Sequence, residues 1–536
     1  MSEHVHDAVI LGAGVSGIYG IKRLTDLGLD AIVLEADADL GGTWYRNRYP
    51  GCRFDSESYT YGYSWSQEIL DAWHWKELFS GQPENLRYLN FVADTFDLRR
   101  HMRFDSRVER MVWDDDAHVW RLRLVDGTVF VSRFVVPSIG PLSMPTVPDF
   151  EGRDEFEGDW WHTHSWPDEP VDLSGKQVGI VGTGATAIQI IGAICDKVGD
   201  LTVFQRRPNW SSPLNNRLIS EEEMADIRSR YDTIFANCAA TPGGFEHVPR
   251  WGFWDDTPEE RRTLWDELYQ EPGFAITGAN YAEIYFDEKA NQELSDYIAD
   301  RIRARVDDPE TAEKLIPRDH GFALQRLPLE SGYFEAYNRP HVHLVDVKEN
   351  PIERVTATGI QTAARHHDLD LIVYATGFDA ITGAYDRIRI EGVGGQTLAD
   401  RWRDSPSTFV GVLSHGFPNV IMVAGPQSVS GSTNFPRAIE GSVDVMAELL
   451  RQAYANGHTR IEAEAEAEAE WVDEVKKYQE RLLIRDSKGW FTGYNSNVAG
   501  HQEGTIRYQA YFGGAPRYNR LVDSLIAEGF PGVTFA

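Results

Sequence analysis

Two glycine-rich turns, each set between a strand-like run and a helix-like run, constrain this 536-residue chain more than any other feature. The first is Gly12-Ala-Gly14-Val-Ser-Gly17. It follows the apolar residues 8–11 and opens a stretch patterned as a helix over 18–27. A second apolar run, 31–34, then ends in Glu35. Strand, glycine turn, helix and a following acid form the fingerprint of a dinucleotide-binding unit. Gly12 permits the tight turn, Gly14 lets the backbone approach a pyrophosphate, and Gly17 lets helix and strand pack closely. The helix N-terminus favours phosphate charge, and Glu35 is placed to bond a ribose hydroxyl. An acid at this point repels a 2′-phosphate.

The second turn is Gly182-Thr183-Gly184-Ala185-Thr186-Ala187, after a strand predicted over 177–181. Its next strand, 201–204, leads to Arg206 and Arg207 where the first unit has Glu35. Two guanidinium groups there suit a 2′-phosphate. The first site is therefore assigned to FAD and the second to NADPH. The fold class is α/β, with two Rossmann-like dinucleotide-binding domains.

The formal charge of −31 argues against nucleic acid or an anionic membrane as partner. Cys52, Cys195 and Cys238 form neither a CxxC pair nor a metal-ligand cluster. A dithiol–flavin reductase thus loses its main support, no metal is expected, and the cysteines read as packing residues in a reducing cytosol. With no leader or membrane-spanning run apparent, a cytoplasmic location is expected.

The expected organisation is discontinuous. A flavin domain begins over 1–145, and a linker with the first part of the NADP domain covers 146–219. A helical insertion spans 220–322, with helices at 221–236 and 258–269. The NADP domain resumes over 323–379 with strands at 342–345 and 369–375, and the flavin domain is completed over 380–536. A strand over 131–139 closes the first unit. Residues 462–470 alternate Glu and Ala and read as a solvated helical face without function.

Between the two turns lies FEGDWWHTHSWP, residues 156–167. It fits the pattern FxGxxxHxxxWP, and with GGTWYRNRYPGCRFD, VFQRRP, ATGFD and WFTGYN in the same order the chain resembles the Baeyer–Villiger monooxygenases over nearly its whole length. The resemblance implies a two-stage cycle, in which NADPH reduces FAD and the reduced flavin captures O2 as a C4a-peroxide. Addition to a ketone then gives a Criegee adduct that rearranges to an ester or lactone. The implied partners are O2 and an apolar ketone.

By the same resemblance Arg326 is the cation beside the flavin, and Asp55 is the carboxylate that orients it. Gly42, Thr43, Trp44, Tyr45, Arg46, Tyr61 and Val108 are implied at the flavin, with Phe435 near it. Arg53, Phe54, residues 183–187, Gln189, Arg206, Arg207 and Trp490 are implied at NADP(H), with Trp490 on a loop that closes over the nicotinamide. His162, central to the linker, reads as a hydrogen-bonding hinge. Residues 243–245, 274–276 and 428–435 are expected to line the substrate pocket.

Two departures stand out. Relatives often carry Lys immediately before the arginine, where this chain has Gln325, so NADPH selectivity would rest more on Arg206 and Arg207. The closing loop also continues Asn495-Ser-Asn-Val-Ala-Gly500 in place of the usual Pro-Gly-Lys ending. The alternatives are an N- or S-oxygenase, since a protonated flavin peroxide is an electrophile, and a flavin-binding sensor without turnover.

Overall fold

The computed structural model describes residues 4–502 and 506–536. Two sheets carry the two glycine turns. In the first, seven strands run in the order Arg389–Glu391, Val108–Asp114, Val119–Leu124, Val129–Pro137, Val5–Leu11, Ala31–Leu34 and Met102–Arg103. Val5–Leu11 pairs in parallel with both Ala31–Leu34 and Val129–Pro137. The strand closing the first unit therefore starts and stops two residues before the predicted 131–139.

The second sheet is parallel throughout, in the order Val342–Asp346, Asp200–Gln205, Gln177–Val181, Leu371–Tyr374 and Asp159–His162. Val178, Ile180, Leu201, Val203, Leu371 and Val373 are fully buried, as expected where both faces of a parallel sheet are covered. The linker motif itself supplies the edge strand Asp159–His162, whose partner is Leu371–Tyr374. Pro145 forms a bridge with Phe378, and Thr146 N–H donates to the Gly377 carbonyl at 2.9 Å. The chain thus passes twice between the sheets at one place.

Residues after 380 join the first sheet. Arg389–Glu391 pairs with Val108–Asp114, and the long helix Phe435–Asn456 packs on the first fingerprint helix, Val15–Asp26. Tyr19 Oη and Arg23 Nε both donate to Asp444 Oδ1, at 2.8 and 3.0 Å.

The insertion is helical, with one correction. The helix predicted over 221–236 is two helices, Glu221–Ser229 and Tyr231–Ala240, which break at Arg230. Ser220 caps the first through the Glu223 N–H, and Thr257 with Glu260 forms a capping box for Pro258–Gln270. The Glu-Ala run also departs from expectation. Ile461–Ala463 is a strand paired with Val533–Phe535, and the helix starts only at Ala465. Glu468 in that helix is buried, not solvated. It accepts from Arg401, from Ser407 Oγ and from the His415 N–H at 2.6 Å. No helix among the described residues is long and apolar enough to cross a membrane.

Candidate active site

The first glycine turn is a cradle that side chains would fill. A Cβ on Gly12, where φ is +101°, would lie 2.7 Å from the Ser138 carbonyl oxygen, and one on Gly17 would lie 1.9 Å from that of Gly12. Gly14 and Gly42 face each other so closely that a Cβ on Gly42 would meet Gly14 Cα at 3.0 Å. Neither fingerprint helix has a side-chain cap at its N-terminus, which leaves backbone N–H groups for a phosphate. Glu35 is buried and its oxygens accept from the Ala13 N–H at 2.6 Å and the Asp37 N–H at 2.8 Å. It locks the turn and keeps further lone pairs for a ribose. Burial pushes its carboxyl up, against the pull of those bonds. Val108 opens a strand just after Ser106, whose N–H donates to the Glu35 carbonyl at 2.7 Å. These features fit a dinucleotide.

The segment after Gly42 packs its aromatics into a wall. Trp44 is buried and donates through Nε1 to Tyr61 Oη at 3.0 Å, while Phe54 stacks on Tyr61 at 4.1 Å. Thr43 is exposed, Tyr45 lies under the Arg48 guanidinium at 4.6 Å, and Arg46 pairs with Asp37. Phe435 begins its helix after Asn434, whose Nδ2 donates to Thr60 Oγ1 at 3.1 Å.

At the end of that wall Asp55 meets Arg326 across 271 residues of sequence, Nη2 to Oδ2 at 3.1 Å. Asp55 is buried, and its Oδ1 has no hydrogen-bond partner among the described residues. Burial pushes its carboxyl up and Arg326 opposes the shift. Arg326 also donates to the Leu327 carbonyl and sits 5.0 Å over the Phe274 ring. With 40% of its side chain open, the guanidinium presents a fixed positive face. An orphaned buried carboxylate oxygen and a half-open cation mark a site shaped for a further group.

The second turn is joined to the first domain. Gln189 Nε2 donates to the Arg53 carbonyl at 3.0 Å, and its Oε1 accepts from Tyr49 Oη at 2.9 Å. Gln189 thus clasps the two domains together, a role its expected place at the nucleotide did not anticipate. Gly51, at φ +83°, fits against the same helix, and a Cβ there would lie 2.7 Å from the Gln189 carbonyl oxygen. Arg53 Nη1 donates to Glu77 and to the Phe79 carbonyl. Gly182, at φ +113°, has the Ala375 carbonyl oxygen 2.5 Å from where a Cβ would be, whereas Gly184 faces open space. Thr183 Oγ1 donates to the Arg207 carbonyl at 2.7 Å, tying the turn to the arginine pair. Ala185, Thr186 and Ala187 form the first turn of the helix.

Trp490 starts a short 3-10 turn, Trp490–Thr492, in contact with Phe491 at 4.2 Å. The loop that follows is pinned to the ATGFD turn, with Asn495 Nδ2 donating to the Phe378 carbonyl at 2.8 Å and Asn497 Nδ2 to that of Thr376 at 3.0 Å. His162 uses both nitrogens. Nδ1 accepts from the His164 N–H, and Nε2 donates to the Gly377 carbonyl, each at 3.1 Å. Burial lowers its pKa to about 4, so it stays a neutral imidazole bracing the crossing between sheets.

A cavity of about 420 Å³ is lined in part by Glu57, His247 and Ala275 and by the charged side chains of Arg217, Glu223 and Arg230. Phe245 packs on Phe274 at 5.2 Å, and Gly244 approaches Asn434. Glu57 and His247, paired at 3.0 Å and mostly buried, were not singled out from sequence. Glu57 stands only two residues from Asp55, but no spacing signal links it to His247.

Residues 10–76 match the family of NAD(P)-binding Rossmann-like domains, and residues 62–231 match the L-lysine 6-monooxygenase/L-ornithine 5-monooxygenase family. The chain is 40% identical to the 2-oxo-Δ3-4,5,5-trimethylcyclopentenylacetyl-CoA monooxygenase of Pseudomonas putida, over 99% of this chain and 98% of that one. It is 38% identical to the acetone monooxygenase (methyl acetate-forming) of Gordonia sp. strain TY-5, over 99% of each. It is 36% identical to the phenazine N-monooxygenase PhzNO1 of Lysobacter antibioticus, over 98% and 96%. The crystal structure of OTEMO in complex with FAD and NADP superposes with a TM-score of 0.95 at 39% identity, covering 100% of both chains.

Proposed function

This chain belongs to the Baeyer–Villiger monooxygenases, which are FAD- and NADPH-dependent flavoenzymes, and on that premise we propose that it oxygenates an apolar ketone with Arg326 as its catalytic cation. When bound and reduced by NADPH, the flavin activates O2 and supplies the oxygen atom inserted beside the carbonyl.

The protein's part is orientation and charge. The Asp55–Arg326 pair carries the proposal, because burying an acid is costly and a buried acid that holds a half-open guanidinium in place is the kind of pair found at functional sites. Asp55 and the Leu327 carbonyl fix the arginine from behind, and Phe274 supports its plane. The cation stays protonated throughout and stabilises negative charge developing on oxygen without reorganising. Asp55 is a positioning residue, since it acts through Arg326. Phe245 packs on Phe274 beside the guanidinium, an apolar surface that suits a ketone without charge at its reacting end.

We place FAD on the first turn, with Gly12, Gly14, Gly17, Glu35 and the segment 42–46, and NADPH on the second, with Thr183, Arg206 and Arg207. The uncapped helix N-termini and the packed glycines support this. We also propose domain divisions at 145, 219, 322 and 379, supported by the exchange of strands between the two sheets.

The test is aerobic turnover with NADPH across cyclic, aryl and straight-chain ketones, with products identified by mass and 18O2 labelling. One labelled atom in an ester or lactone is the expected result. Flavin-loaded protein that consumes NADPH and yields only hydrogen peroxide with every ketone sinks the proposal. N-oxide or sulfoxide products in place of esters would move the chain to the alternative that its phenazine-oxidising relative represents.

A further inference from the structure

The arginine pair after the second turn is joined by a third cation from a distant part of the chain. Lys488 lies in the segment following the helix Ala465–Gln479, and its carbonyl oxygen accepts from Gln325 Nε2 at 3.2 Å and from Arg207 Nη2 at 3.3 Å. Its own ammonium and the Arg207 guanidinium lie 5.8 and 5.4 Å from the centroid of one ring, that of Tyr494. Arg207 and Lys488 thus flank one ring, with Arg206 next to Arg207 and within reach of the same ring, on a protein whose net charge is −31.

Like charges assembled in this way repel until an anion joins them. Among the described residues, the carboxylate ion-paired with any of the three is Asp319, 3.5 Å from Arg207 and already bonded to His320 Nδ1 at 2.8 Å. Gln325 adds hydrogen-bonding capacity to the cluster without charge, so the positive charge beyond the arginines comes from Lys488. The loop carrying Lys488 continues into Asn495 and Asn497, which are pinned to the ATGFD turn. An anion held by Lys488 would therefore also hold that loop against the second domain.

We propose that Lys488 completes the binding site for the 2′-phosphate of NADPH, so that the closing loop itself distinguishes NADPH from NADH, and that Asp319 opposes the same phosphate. This rests on the placement of NADPH at the second turn. A lysine suits the task as a point charge on a flexible stem.

The experiment is calorimetric titration of oxidised, FAD-loaded protein with NADP+ and, separately, NAD+. Lys488→Met is expected to weaken NADP+ about five- to tenfold, somewhat less than a sheltered charged hydrogen bond because Lys488 is exposed, and to leave NAD+ within about twofold. Asp319→Asn is expected to shift NADP+ the other way, tightening it about two- to fivefold. Wild-type protein that takes up neither nucleotide, or prefers NAD+, defeats the placement of NADPH itself. Wild-type protein that prefers NADP+ while Lys488→Met keeps that preference undiminished, or weakens both nucleotides equally, overturns the role of Lys488 alone. Looser NADP+ in Asp319→Asn overturns the role of Asp319.

Discussion

Asp55 and Arg326 join the aromatic wall of the first domain to the segment that follows the helical insertion, and among the described residues Oδ1 of the acid has no hydrogen-bond partner. Removing the cation should uncouple reduction of the flavin from oxygen insertion. Arg326→Ala is expected to keep FAD and its reduction by NADPH while ester formation falls about 10²–10³-fold, the range for losing one preorganised charge. Asp55→Asn should give a smaller loss, about tenfold or more, because the arginine remains but is less firmly held. Stopped-flow reduction together with product yield separates the two steps, and undiminished yield in Arg326→Ala removes the catalytic assignment.

The two glycine turns should respond differently to the same substitution. Gly17→Ala places a methyl 1.9 Å from a backbone oxygen, so the helix must move off its strand, and the purified protein should lack bound flavin. Gly184→Ala meets nothing within 4 Å. It should keep a full complement of flavin and lose NADP+ affinity as the backbone is held away from the pyrophosphate. Flavin absorbance per protein and NADP+ titration report both, and equal flavin content in the two variants would contradict the packing account.

His162 imposes a pH dependence of known sign. Its folded-state pKa of about 4 lies below the ordinary value near 6.5. Between those values the unfolded chain binds the proton and the native protein does not. Stability from this group is therefore complete above pH of about 6.5 and is lost as pH falls toward about 4, by about 3 kcal/mol in all. The stability difference between wild type and His162→Asn should shrink over that window in denaturant melts. Curves that run parallel from pH 7 to 4 would show that His162 is not held neutral.

Glu468 should behave as a purely structural acid. Glu468→Gln leaves the Arg401 charge without its partner, at a cost of about 2 kcal/mol once the partial exposure of the arginine is allowed for. The thermal midpoint should fall while ester formation per bound flavin is unchanged. A variant with the stability of wild type would mean the buried contacts are neutral.

The glycine turns were legible because their geometry is local. A φ that only glycine adopts, an uncapped helix start and a strand before it all lie within a few residues of one another. Contacts that join distant segments were not. Nothing in the alternation of Glu and Ala shows that position 468 faces Arg401 and His415, some fifty to seventy residues upstream. Likewise, nothing local to Gln189 shows that its amide bonds Tyr49 and Arg53. The pairing of Glu57 with His247, and of the Lys488 carbonyl with Arg207, depends on how the insertion and the C-terminal loop fold back. Even Asp55 and Arg326 were connected through family resemblance, since 271 residues separate them.

Gly51 sets the spacing of the whole machine. A hydride passes only between atoms nearly in contact, and the two halves on which we propose to place the donor and the acceptor rest on each other where this residue lacks a side chain. Any larger residue at 51 is a wedge in the seam: both nucleotides could still be seated, yet the electrons would have too far to travel.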